Sequence, residues 1–220
     1  SCLSRSEMPS RRQQRRFVSL AIALILIALY LYHQYHSAAR HGPPSSLFGC
    51  GIHCGTERWA VKTLSDPDSA TVNFSPRPTT VAWLTAQPAP QILPEDSRVA
   101  PLEFQAFTVR GRLVGVKEED DRDFHILLAD VDDPSSTMIA EIPSDECSGA
   151  CSSRYATSFE DARRQIESRF GMPTDRFIDV RDDVIVDVTG IAFFDFFHRQ
   201  RGVAPNAIEL HPVLSIQFEQ

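Results

Sequence analysis

Five residues near the C-terminus carry side chains that could bind a metal ion or transfer a proton: Asp195, His198, Asn206, Glu209 and His211. One residue separates Glu209 from His211, so a strand there would place both on one face. A Glu-x-His pair near an aspartate and a second histidine offers ligands that zinc accepts, and an acid and a base for hydrolysis. The candidate catalytic residues are therefore Asp195, His198, Glu209 and His211, and the candidate metal ligands are His198, Glu209 and His211.

The same residues also have ordinary structural uses. Asn206 is a good turn residue, Glu209 can accept backbone hydrogen bonds, and His211 can be a buried and satisfied side chain. The sequence contains no GxSxG, Walker, dinucleotide-binding or HExxH motif. Enzymatic activity stays open on this reading. No cofactor is predicted, and zinc and calcium are the two ions that the residues would suit.

A second group of possible ligands is the acidic run Glu118–Asp123, which His125 follows closely. Clustered carboxylates suit calcium, but the run lacks the spacing and central glycine of an EF-hand loop. Charge runs usually face water. The sequence therefore predicts a solvated hairpin tip here.

The cysteines form two pairs with identical spacing, Cys50 with Cys54 and Cys147 with Cys151, and Cys2 stands apart from them. In an exported domain four cysteines predict disulfides, for which three connectivities exist. A zinc site with four sulfur ligands and free thiols are the alternatives.

An uncharged apolar run at Phe17–Tyr32 follows a group of arginines. Extended to residue 35, the run approaches the ~20 residues that a membrane-crossing helix needs. The arginines predict that residues 1–16 are cytoplasmic and that the rest of the chain is extracytoplasmic, with the membrane as a partner through this helix. The alternatives are a cleaved signal peptide, which would make the protein secreted, and a buried helix of a soluble core.

The remainder of the chain divides by composition into a tether at 36–53, a Pro-rich strap at 54–103 that packs on the domain, and a domain at 104–220. Five of the 22 basic residues but only one of the 29 acidic residues lie in 1–16, so the remaining chain is strongly acidic. Such a charge disfavours binding to nucleic acid. Within the strap, a strand-like piece is expected near 79–84.

Alternating apolar residues in the last part of the chain predict five strands, and a helix beginning at Ser158 is expected between the third and fourth. The strands are expected near 104–116, 124–129, 137–142, 184–194 and 208–218. This order is typical of a mainly β (α+β) protein with an OB-fold-like five-stranded barrel, and Gly111 and Gly115 would let the first strand bend.

Three segments resemble a group of bacterial exported or membrane-anchored proteins of unknown function with an OB-fold-like domain. They are CGTERWAVKTLSD (Cys54–Asp66), TMIAEIP (Thr137–Pro143) and GIAFFDFFHRQRGVAPNAIELHPVLSI (Gly190–Ile216). The resemblance covers most of Cys54–Phe218, and the ELHPV segment is its most distinctive part. It implies a fold and a class of organism but no activity.

These observations predict a membrane-anchored extracytoplasmic binding or interaction module. OB barrels commonly bind oligomeric ligands on one face, so the expected partner is an unknown protein or oligomeric ligand. A metal-dependent hydrolase and a structural envelope protein are the two alternatives.

Overall fold

The computed structural model describes residues 51–198 and 200–219. Within these residues no helix combines the length and the hydrophobicity that crossing a membrane requires. The predicted cytoplasmic segment 1–16, the transmembrane segment 17–35 and most of the tether 36–53 lie outside the described residues.

The chain forms seven strands and three α-helices within the described residues, together with two short 3₁₀ helices. In chain order the α-helices and strands are α1 (Trp59–Lys62), β1 (Asn73–Thr80), α2 (Val81–Thr85), β2 (Gln105–Glu118), β3 (Phe124–Ala129), β4 (Thr137–Ile142), α3 (Ala156–Phe170), β5 (Ile178–Asp179), β6 (Ile185–Phe194) and β7 (Ile208–Phe218).

Five of these strands close into a barrel in the order β2-β3-β4-β7-β6, and β6 pairs with β2 to complete the ring. All neighbouring pairs are antiparallel except β4 with β7, which are parallel. Helix α3 lies in sequence between the third and fourth barrel strands. The predicted mainly β fold, with five strands closed into a barrel and one helix, is confirmed at this level.

Strand β2 can join two halves of the barrel because it bends. Its N-terminal part pairs with β6, its C-terminal part pairs with β3, and the register with β3 shifts between Leu113 and Gly115. A Cβ atom on Gly115 would lie 3.0 Å from the ring of Phe177. The bend predicted from Gly111 and Gly115 is therefore present, and Gly115 also leaves room for a neighbouring aromatic ring.

The segment before the barrel contains more regular structure than a strap. Strand β1 runs parallel to β2 and carries two prolines, Pro76 and Pro78; β1 pairs with β2 alone among the described strands, and such an edge position tolerates proline. The strand-like piece expected near 79–84 is correct only for residues 79 and 80, which end β1, because residues 81–85 form α2. The hydroxyl of Thr80 accepts a hydrogen bond from the Trp83 amide and so caps this helix.

Helix α3 packs its apolar side against the barrel, chiefly against β7 and β4. Phe159, Ala162 and Ile166 are buried in that contact. The helix begins at Ala156, two residues before the expected start at Ser158. It ends at Phe170, and the next residue, Gly171, has a φ of 77°. A glycine with positive φ is a common helix terminator.

Candidate functional site

The outer face of strands β3, β4 and β7 carries polar side chains, although it is buried. Alternate residues of these strands point into the barrel core, among them Ile126, Leu128, Ala140, Ile142 and Leu210. Their neighbours therefore point outward: His125, Glu141, Glu209 and His211. Each of the four is at most 5% exposed.

Strand pairing brings these four side chains together. His125 lies directly opposite Glu141 in the β3–β4 ladder. Glu209 lies beside Ile139 in the β4–β7 ladder, so His211, two residues further along, lies level with Glu141. The turn between β2 and β3 adds Glu119 and Asp123. We call these six residues the donor cluster: Glu119, Asp123, His125, Glu141, Glu209 and His211.

Glu141 lies at the centre of the donor cluster. Its Oε1 is 3.2 Å from Nδ1 of His125, and its Oε2 is 3.1 Å from Nδ1 of His211. Asp123 Oδ2 lies 3.2 Å from Nε2 of His211. Glu119 Oε1 lies 3.0 Å from Nδ1 of His125, and Glu209 Oε2 is 4.0 Å from Nδ1 of His211. The carboxylates and imidazoles thus alternate in one connected group.

Several of these atoms are close together without being hydrogen-bonded. Among the residues that the structure describes, five buried cluster atoms have no hydrogen-bond partner: Asp123 Oδ2, His125 Nε2, Glu209 Oε2 and both ring nitrogens of His211. The contacts of His211 are short enough for hydrogen bonds, but the atoms are not aligned as donor and acceptor.

Burial alone would lower the pKa of each imidazole, because it disfavours the charged form. The neighbouring carboxylates reverse this effect. Glu119 and Glu141 raise the pKa of His125 to about 9, and Asp123 and Glu141 raise the pKa of His211 to about 9. Burial raises the pKa of Glu209 well above its usual range, and the charges of Glu141 and Asp195 raise it further.

The N-terminal segment 52–66 contributes charged groups next to the donor cluster. Lys62 Nζ contacts Asp195 Oδ2 at 3.1 Å. Burial tends to lower the pKa of Lys62, but the charges of Asp195, Glu141 and Glu209 raise it overall. Arg58 forms a fully buried ion pair with Glu103 at 2.7 Å, and its guanidinium lies 4.6 Å from the centre of the Phe193 ring. This segment therefore lies beside the cluster and is held by buried charge pairs.

The structure brings together only some of the residues predicted for the site. Glu209 and His211 share a face, as expected, and both belong to the donor cluster. Asp195 pairs with Lys62 at the edge of the cluster. His198 is partly exposed and lies away from Glu209 and His211; it contacts Glu57 at 2.9 Å and forms a small group with Glu57 and Asp195. Asn206 is used structurally, since its side-chain amide donates to the carbonyls of Leu84 and Gln87.

The acidic turn differs from the solvated tip that was expected. Asp123 is fully buried, and the side chain of Glu119 is 17% exposed. Asp123 is fixed at its other oxygen, Oδ1, which accepts the amide of Ser144 at 3.1 Å. The sequence groups Asp123 with His125 as possible ligands, but it does not indicate that Glu141 joins them or that they lie beside Glu209 and His211. The available signal was the spacing of Asp123 and His125, which puts both on one face at the start of β3.

The prediction of disulfides is confirmed for one bond, between Cys54 and Cys147, whose sulfur atoms are 2.01 Å apart; the sequence left this pairing open. Cys151 is disulfide-bonded as well, and Cys50 lies outside the described residues. A zinc site with four cysteine thiolates is therefore wrong. The Cys54–Cys147 bond ties segment 52–66 to the loop that follows β4, and that loop holds Asp123 through Ser144.

A pocket of about 360 Å³ opens beside the loop between β6 and β7. It is lined mainly by apolar side chains, with Asp195 at its edge: Ala89, Pro90, Leu93, Phe194, Phe196 and Phe197. Phe194 is buried, whereas Phe197 is 67% exposed. The phenylalanines of this segment are thus divided: Phe194 belongs to the core, and Phe196 and Phe197 lie at the rim of the pocket.

Comparisons with known proteins identify no relative. The chain matches no protein-family model, and comparison with curated proteins and with solved structures gives no match either.

Proposed function

We propose that this domain binds a divalent transition-metal ion in the donor cluster, through Asp123, Glu141 and His211, with Glu209 beside His211. These residues are within reach of one ion, since Asp123, Glu141 and His211 each offer a ligand atom within 4.8 Å of the others. The observation that carries the proposal is the set of buried ring nitrogens and carboxylate oxygens without hydrogen-bond partners in the described chain.

A purely structural network of ion pairs explains these atoms less well. Leaving a buried polar atom without a partner costs about 1–3 kcal/mol, and more for a charged group. Apolar side chains in place of these carboxylates and imidazoles would avoid that cost. A metal ion satisfies several lone pairs at once and supplies the positive charge that the carboxylates require.

The donor types indicate which ions fit. Imidazole nitrogen suits zinc, iron, copper and nickel, and carboxylate oxygen suits manganese, magnesium and calcium. A mixed set of imidazole and carboxylates therefore favours zinc, manganese or iron over calcium, which prefers oxygen alone. Because the ligands are buried, an ion bound here contributes directly to the stability of the folded chain.

We further propose that the barrel is an OB-fold. The strand order β2-β3-β4-β7-β6, with a helix between the third and fourth barrel strands, supports this assignment. In OB-folds the face of the second and third strands and the adjoining loops bind ligands. The donor cluster occupies the corresponding face, on β3 and β4, and the loop after the first barrel strand supplies Glu119 and Asp123.

An extracytoplasmic location is also part of the proposal. The Cys54–Cys147 bond supports it, because disulfides persist mainly in oxidising compartments. We expect a reporter that works only outside the cytoplasm to be active when it is fused after residue 220. A cytoplasmic reporter with reduced cysteines would contradict this location.

To test the metal proposal, a chelator first removes any bound metal from the purified chain, and the chain is then dialysed against zinc or manganese. Elemental analysis after gel filtration should find bound metal in the native chain and in His198→Ala, and should find it lost in His211→Ala. His198 is the matched control, because it is a histidine in a separate acidic group with Glu57 and Asp195. Metal-dependent stabilisation in a thermal melt gives a second readout that needs no variant. Absence of bound metal, or its loss only in His198→Ala, would contradict the proposal.

A further inference from the structure

Glu141 offers its two carboxylate oxygens to two different imidazoles, Oε2 to His211 and Oε1 to His125. The second imidazole has its own carboxylate, Glu119, so that Glu119, His125 and Glu141 form another group of close ligand atoms. We propose that the cluster holds two divalent ions, the second bound by Glu119, His125 and Glu141, with Glu141 bridging them. This inference rests on the proposed function.

The Nδ1 atom of His125 lies close to two carboxylate oxygens at once. Its Nδ1 faces Glu119 Oε1 at 3.0 Å and Glu141 Oε1 at 3.2 Å. A single N–H could only be shared between these two oxygens, whereas an ion placed between them would coordinate all three atoms. Nε2 of the same ring is buried and has no hydrogen-bond partner in the described part of the chain. The ring is therefore not held by a complete set of hydrogen bonds.

The Oε2 atom of Glu119 is held by a lysine, and this contact orients Oε1 for metal binding. Lys117 Nζ contacts Glu119 Oε2 at 2.7 Å, which turns Oε1 towards His125. The amide of Gln200 also approaches Oε1, at 3.4 Å. A lysine on the outer oxygen of a ligating carboxylate fixes its position and leaves the inner oxygen available to a metal ion.

The charge of the donor cluster also fits two ions better than one. Its four carboxylates are Glu119, Asp123, Glu141 and Glu209, and two divalent ions carry the four positive charges that match them. One ion would leave two of these charges to Lys117, which contacts Glu119, and to Lys62 beside Glu141 and Glu209. Four carboxylates with two imidazoles is also the donor set of dinuclear iron and manganese centres in helical bundles. Here the same set is arranged on strands and one turn.

The test is a manganese titration of the stripped full chain, with bound metal per chain measured by elemental analysis and coupling between ions measured by electron paramagnetic resonance. We expect two ions per chain with a coupled spectrum in the native chain. We expect one ion with an uncoupled spectrum in His125→Ala, and two coupled ions in the control His198→Ala.

The outcomes separate this inference from the proposed function. One ion in both the native chain and His125→Ala would overturn the second site and leave the first. Two ions retained in His125→Ala would also overturn the assignment, whereas no ion in the native chain would overturn both proposals. If His125→Ala does not fold, Glu119→Gln at the partly exposed edge of the cluster replaces it, with the same expected loss of one ion and of spin coupling.

Discussion

The Oε2 atom of Glu141 lies 3.1 Å from Nδ1 of His211, and the histidine is completely buried. The two residues come from β4 and β7, which are the only parallel neighbours among the barrel strands described here. Closure of the barrel is therefore what places a carboxylate against an imidazole on this face. The predictions that follow concern this contact, the charges beside it and the bonds that hold the surrounding segments.

Replacing Glu141 by glutamine keeps the shape of the side chain and removes the charge that both imidazoles share. We expect metal affinity, measured by calorimetry on stripped protein, to fall on the order of 100-fold or more, because loss of a group that merely supports a ligand already costs about 10–100-fold. Glu146→Gln is the matched control, since Glu146 is an exposed partner of Arg122. Equal affinities for the two variants would show that Glu141 is not a ligand.

Arg58→Ala should destabilise the fold strongly, because it leaves the buried carboxylate of Glu103 without its partner. Removing one member of a buried ion pair costs about 3–5 kcal/mol in the free energy of unfolding. The control is Arg110→Ala, whose ion pair with Glu219 is exposed and should contribute less than about 1 kcal/mol. Urea unfolding of both variants measures the difference, and similar losses would contradict the buried pair's role.

Removal of the Cys54–Cys147 disulfide should lower stability by about 2–5 kcal/mol, because the bond closes a long loop with a sequence separation of 93 residues. The double variant Cys54→Ser with Cys147→Ser tests this by thermal unfolding. An unchanged midpoint would mean that the bond does not constrain segment 52–66.

Asp130 should make the stability depend on pH in the acid range. Burial alone would raise its pKa, but the amides of Ala82, Asp132 and Asp133 donate to its carboxylate and lower the pKa overall. A carboxyl whose pKa is lower in the folded state stabilises the fold above its unfolded pKa of about 4, and this contribution is lost as the pH falls through the folded pKa.

The matching experiment compares the native chain with Asp130→Asn by urea unfolding at neutral pH and at pH about 3. We expect a loss of about 1–2 kcal/mol for the variant at neutral pH and a smaller difference in acid. A difference that stays constant or grows on acidification would contradict this account of Asp130.

The barrel was predictable because its strands alternate regularly. The limits of β3, β4 and β7 agree with the expected ranges, since apolar residues at every second position leave one face to be buried. The segment 79–84 was not predictable in this way. Its short helix α2 depends on the cap by Thr80 and on Asp130, which is distant in sequence.

The site was predictable only where its residues are close in sequence. Glu209 and His211 stand two positions apart, so strand periodicity alone assigns them to one face. Glu141 and Asp123 join them only through the β4–β7 pairing and the turn after β2. The charge of the acidic turn indicated exposure, and tertiary contacts with Ser144 and His211 reversed that expectation for Asp123.

The most direct test of the metal site is an anomalous diffraction map from crystals of the metal-loaded chain, recorded at the absorption edge of the added ion. The account predicts a peak bounded by Asp123, Glu141 and His211. A map without a peak there, in crystals whose chain shows the donor cluster intact, would contradict it.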